Sequence, residues 1–198
     1  KLMYNFKYDL WVNGTRVASL NKDKVLGSSS SVSFEPASGN APATLTLNNV
    51  NSTDTGIPFI KNGISDLNIK LVGHSYVADC SVFIEKYGAG ETSNNVTFTS
   101  DFGSDAGDLT IRPQQETWFT NHTISYANGL FVYEYDDNES GYTVEIQMPQ
   151  DFGLTVAGTS VTASNADNVM NDENHSVSFD PNTNTLYLDG ATVVGDIE

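Results

Sequence analysis

At 198 residues the chain can bury a substantial core, as one large unit or two small ones. Its 25 acidic and 9 basic residues leave a formal charge of −16, which repels nucleic acid and anionic membrane surfaces and leaves cations and neutral polymers as partners. The single cysteine, Cys80, excludes an internal disulfide and a cysteine metal cluster, and no apolar run approaches the roughly 18 residues of a membrane span.

In chain order, the first strand signal is Leu10-Trp11-Val12, an apolar pair on either side of an aromatic, followed by Asn13-Gly14. A brief helix is predicted over Asn21 to Leu26, where Asn or Ser can cap a turn. Apolar side chains two apart then recur in Leu45-Thr46-Leu47, Leu67-Asn68-Ile69-Lys70-Leu71, Val96-Thr97-Phe98 and Leu109-Thr110-Ile111, each a short strand with one buried face. Between them, Gly88-Ala89-Gly90 and Asp101-Phe102-Gly103-Ser104-Asp105 carry turn chemistry. Phe131 to Tyr135 and Tyr142 to Met148 read as an antiparallel hairpin closed by Asp136-Asp137-Asn138-Glu139-Ser140-Gly141.

The opening pattern then returns after an interval of about 144 residues. In register, Leu10 pairs with Leu154, Val12 with Val156, Gly14 with Gly158, Val17 with Val161, Asn21 with Asn165 and Val25 with Val169. After a small shift, Val32-Ser33-Phe34-Glu35-Pro36 matches Val177-Ser178-Phe179-Asp180-Pro181, and Thr44-Leu45-Thr46-Leu47 matches Thr185-Leu186-Tyr187-Leu188. A second brief helix is predicted over Asn165 to Met170. The repeat divides the chain into a β-rich module over 1–148 and, over 149–198, the start of a homologous module or a C-terminal cap.

The fold class is all-β, and two architectures fit. In a right-handed parallel β-helix, or solenoid, each coil lays a short strand on the one before, which suits the spacing of Ile57-Pro58-Phe59, Leu67-Asn68-Ile69, Val82-Phe83-Ile84, Val96-Thr97-Phe98 and Leu109-Thr110-Ile111. A β-sandwich of antiparallel hairpins suits strands at that spacing equally well. The segments Leu10-Trp11-Val12-Asn13-Gly14, Val32-Ser33-Phe34-Glu35-Pro36, Thr44-Leu45-Thr46-Leu47-Asn48-Asn49, Asp66 to Gly73 and Gly107-Asp108-Leu109-Thr110-Ile111 resemble a module of bacterial surface proteins. That module is similar to a clostridial pectin-binding family. The resemblance implies a right-handed parallel β-helix that binds acidic polysaccharide and calcium.

Candidate site residues follow from the same patterns. The second copy keeps the apolar pair as Leu154 and Val156 but has Thr155 in place of Trp11, so Trp11 is expected to point outward, where its flat ring can stack on the C–H face of a sugar. Packing against the segment from Trp118 to Tyr135 is the competing role. Trp118, Tyr133 and Tyr135 belong to the densest aromatic cluster, and Phe131, Tyr133 and Tyr135 share a strand face that forms either a second core or a binding strip. Asp101, Asp105 and Asp108 supply hard oxygen ligands at the short spacing that calcium takes in glycine-rich loops; solvated turn carboxylates are the alternative.

Enzymatic patterns are missing. His74, His122 and His175 sit in no catalytic motif, and neither a Gly-x-Ser-x-Gly elbow nor a His-Glu-x-x-His pair occurs. Asn51-Ser52-Thr53, Asn95-Val96-Thr97 and Asn121-His122-Thr123 are glycosylation triplets only in a eukaryotic secretory pathway. No secretory leader is legible at the N-terminus, and a start at Lys1 suits a mature or excised portion. The expectation is a non-enzymatic, extracellular or cell-surface module that binds polysaccharide or another surface glycan, with calcium as a candidate cofactor. The alternatives are a structural spacer repeat of a larger surface protein and a polysaccharide lyase or glycosidase on a β-helix.

Overall fold

The computed structural model describes residues 4–27, 31–53, 56–88, 92–101, 106–127, 129–137, 141–149, 151–162, 165–181 and 183–198. Every regular element among them is a strand, and no helix is long and apolar enough to cross a membrane. The chain forms two compact units, Lys1–Met148 and Pro149–Glu198.

In the first unit, fifteen strands make three five-stranded sheets. The first sheet runs β2 (Thr15–Ala18), β1 (Lys7–Val12), β6 (Ile60–Asn62), β9 (Ile84–Lys86), β12 (Phe119–Thr120). The second runs β3 (Val32–Glu35), β4 (Ala43–Asn48), β7 (Asp66–Val72), β10 (Asn94–Ser100), β13 (His122–Tyr126). The third runs β5 (Asn51–Ser52), β8 (His74–Cys80), β11 (Asp108–Pro113), β15 (Gly141–Gln147), β14 (Phe131–Asp137). From β4 to β13 the chain visits the second, third and first sheets in strict rotation. Each return is parallel to the visit before it: β4, β7, β10 and β13 in one ladder, β5, β8 and β11 in another, β6, β9 and β12 in the last. Antiparallel pairs occur at the ends, where β1 meets β2 and β6, β3 meets β4, and the β14–β15 hairpin closes on β11.

Alternation along each strand sets which residues face inward. Leu45, Ile69, Phe98 and Tyr126 stand in one row across the second sheet, and Leu47 lies beside Leu71 in the next. Leu45, Leu47, Ile69, Leu71 and Phe98 are fully buried, each worth about 1.5–3 kcal/mol relative to exposure. The outward rows are polar and bond to one another: Thr97 to Ser125 at 2.9 Å and Thr99 to Asn68 at 3.0 Å. Inside, an aromatic stack joins Phe59 to Phe83 at 5.6 Å, and Trp118 lies about equally far from Phe83 (6.3 Å) and Phe98 (6.0 Å). Cys80 is fully buried in the same core, its thiol pushed up to about 11 chiefly by desolvation.

The second unit contains β16 (Asp151–Val156) paired with β17 (Thr159–Thr162), and β18 (Val177–Asp180) paired with β19 (Thr185–Leu188), all antiparallel. These two hairpins repeat β1–β2 and β3–β4 in detail. The turn Asn13-Gly14 has φ of 44° and 72°, and Ala157-Gly158 has 50° and 79°. Tyr8 packs on Phe34 at 4.8 Å, and Phe152 on Phe179 at 5.1 Å.

The two segments expected to be short helices are instead consecutive β-turns. Asn21 N–H bonds to Ala18 O, Lys24 to Asn21 and Gly27 to Lys24, and Asn165, Asn168 and Asn171 follow the same three-residue steps. The asparagine side chain locks each arrangement. Asn21 Oδ1 accepts from Ala18 N–H at 2.7 Å while its Nδ2 donates to the Arg16 carbonyl at 3.0 Å; Asn165 does the same with Thr162 (2.7 Å) and Ser160 (3.0 Å). Asparagine here competes with the helix for backbone groups and wins.

Candidate functional site

The β1–β2 hairpin turns Leu10 and Val12 fully inward, so Trp11 projects from the outer face of the first sheet, half-buried. Pairing places it in a row with Arg16 on β2, Lys61 on β6 and Glu85 on β9. Tyr87, just beyond β9, brings its ring to 4.3 Å from the indole at 52°. Trp11, Tyr87, Ile57, Pro58, Gly14 and Lys61 line an open, mainly apolar cleft of about 380 Å³. Ile57 and Tyr87 remain exposed at 40% and 41%, so their apolar faces are available to a ligand.

Two cations flank this surface, each held by a carboxylate. The Arg16 guanidinium lies 4.7 Å from the centre of the Trp11 ring and is fixed by Asp9 Oδ1 at 2.9 Å and the Tyr8 carbonyl at 3.0 Å. Lys61 Nζ pairs with Glu85 Oε2 at 3.0 Å. The site is thus a pair of inclined aromatic rings, with the Arg16 guanidinium over one face of the indole and the Lys61–Glu85 pair alongside, suited to an amphipathic ring that meets the remaining apolar surface with its C–H face. The hairpin itself does not require the tryptophan, because the same hairpin in the second unit carries Thr155 opposite Ser160 at the positions of Trp11 and Arg16.

The other aromatic candidates lie elsewhere. Trp118 is a core residue, only 2% exposed, packed on Phe83, Phe98 and Phe119, with its Nε1 donating to Glu134 Oε1 at 3.0 Å. With both faces covered it has none to offer a sugar. Tyr133 and Tyr135 stand on the outer face of the edge strand β14, opposite the side on which Val132 joins the core, so they form a surface strip and not a second core. Tyr133 is 59% exposed; the Tyr135 hydroxyl donates to Glu145 Oε1 at 2.9 Å, and the two rings are 6.2 Å apart. This strip is on the third sheet and Trp11 on the first, so the structure does not gather the four residues into one surface.

The acidic loop is partly visible. Asp101 pairs with Lys70 Nζ at 2.8 Å, and Asp108 Oδ2 lies 2.5 Å from His74 Nδ1; Asp105 lies outside the described residues. Among the described residues no three His, Cys, Asp or Glu side chains converge on a common point.

Arg16, Lys61 and Tyr87 were not legible as site residues. A usable signal exists in the parallel phrases Phe59-Ile60-Lys61 and Phe83-Ile84-Glu85, which align the charged pair in neighbouring strands, but it says nothing of the antiparallel strand β1 beside them. No protein-family model, curated protein or solved structure matches this chain.

Proposed function

We propose that this chain is a non-catalytic, extracellular or cell-surface module that binds a glycan, built as a right-handed parallel β-helix. The observation that carries the reading is the outward Trp11 beside Tyr87, an aromatic cleft that the repeated hairpin omits and that folding therefore does not demand. The rotation of parallel strands through three sheets supports the β-helix.

The test is a fluorescence and calorimetric titration with polygalacturonate and with a neutral β-linked glycan. Binding is expected to change the emission of half-buried Trp11, while Trp118 supplies a constant background. Trp11→Ala should weaken binding by about tenfold, the effect of about 1.4 kcal/mol of lost stacking. No response to any glycan would transfer the role to the second reading, a spacer repeat of a larger surface protein, and full affinity in Trp11→Ala would move the glycan site out of the cleft. One observation favours that reading: the detailed repetition of the β1–β4 hairpins in the second unit.

A further inference from the structure

The second unit reproduces β1 to β4, and among the described residues no strand lies along its β4 equivalent as β7 lies along β4 in the first unit. There, β7 lies parallel along β4 with Leu45 opposite Ile69 and Leu47 opposite Leu71, and both β4 leucines are fully buried. The equivalent strand, β19, has β18 as its one neighbour among the described residues. Leu188, in the place of Leu47, is 52% exposed, and Tyr187 is 50% exposed.

The second unit also has a segment at the position that β6 takes beside β1. Ile197 bridges Val156 as Ile60 pairs with Val12. Ala157 N–H donates to the Asp196 carbonyl at 2.8 Å, as Asn13 N–H donates to that of Phe59 at 2.7 Å. Asp196-Ile197-Glu198 therefore stands where Phe59-Ile60-Lys61 stands. Ile197 is 47% exposed where Ile60 is fully buried.

We propose that the free edge of β19 is a strand-accepting site. Its occupant is an extended segment with apolar residues at alternate positions, entering parallel to β19 in the register that β7 takes on β4. The hydrogen-bond phase supports this. Asp189 N–H donates to the Ser176 carbonyl at 2.8 Å, and alternation from that pair directs the N–H groups of Leu186 and Leu188 away from β18, toward the open side. A parallel strand satisfies those groups and covers both leucines, whereas a one-residue slip would lay its polar face on them. Open edges of this kind are where strand addition occurs.

The experiment is residue-resolved amide exchange on the full chain. The probe is a millimolar peptide with the sequence of Ser65–Gly73, and the control has the same composition with its apolar positions moved by one. Exchange at Leu186 and Leu188 is expected to slow about tenfold with the first peptide and not with the second. A longer chain carrying a copy of Asn62–Met148 after Glu198 presents the same strand in cis, and protection of the two amides there supports the site even if the free peptide binds too weakly. Unprotected amides in both experiments overturn the proposal, as does equal protection by the control. Protection that rises with protein concentration alone also overturns it, by assigning the edge to a second copy.

Discussion

Asn62 and His122 are polar side chains set in an apolar interior, and each is satisfied. Asn62 bonds to both backbone groups of Ile64, at 3.1 and 2.9 Å. His122 Nδ1, 2.6 Å from the Thr120 carbonyl, carries the ring proton, which leaves Nε2 to accept from Asn62 Nδ2 at 3.2 Å. The ring is thus held neutral, and burial keeps its pKa below the ordinary 6.5. Below that pH the unfolded chain binds the proton more readily than the folded one, so this contribution to stability is complete above 6.5 and is lost as pH falls beneath it. Thermal unfolding of the wild type should therefore fall off more steeply below pH 6.5 than that of His122→Gln; parallel profiles would refute the assignment. Asn21 makes a second residue-scale case, with two side-chain bonds closing its turn. Asn21→Ala should cost about 2 kcal/mol in denaturant melts. Its role was legible only in part: the asparagine stands out in both copies, but its preference for local backbone bonds over a helix shows only once the chain is folded.

The elements depend on close backbone approach where the chain turns from sheet to sheet. Gly107, which leads into β11, is buried against the Leu71–Val72 peptide, and an added Cβ would lie 2.3 Å from the Leu71 carbonyl carbon. Backbone cannot yield as a flexible side chain does, so Gly107→Ala should destabilise the first unit by about 3 kcal/mol, a loss measurable in the denaturant midpoint. At this scale the strands around Leu45, Leu67, Val96 and Leu109 were legible from alternation, since each presents one buried face. Trp118, offered as a sugar-binding candidate from its aromatic neighbourhood, is a core residue. Its neighbourhood is aromatic and interrupted by turns, so sequence alone does not distinguish a platform from the stack of Phe83, Phe98 and Trp118 that fills the interior.

At the scale of the molecule, two compact units imply separable folding. Calorimetry should resolve two transitions, and a chain ending at Met148 should retain the first unit's transition within about a degree. A glycan seated at Trp11 and present at about 100 times its Kd should raise only that transition, by roughly 2.7 kcal/mol of added stability. A shift in the second transition instead would move the site out of the cleft. The same scans with millimolar calcium test the Asp101 loop directly.

By itself the sequence determined the all-β character, the inward Leu10 and Val12 with Trp11 facing out, the repeat of the first hairpins and the acidic surface. These properties depend on neighbours two or three residues apart, or on a pattern written twice. Only the tertiary structure decided which strands pair, that the returns are parallel, that Trp118 is core and that Tyr87 closes on Trp11. The physical reason is that strands pair through backbone groups, which every residue shares. Side chains reveal a buried face, but a partner is specified only when distant segments with matching faces are brought together around one core.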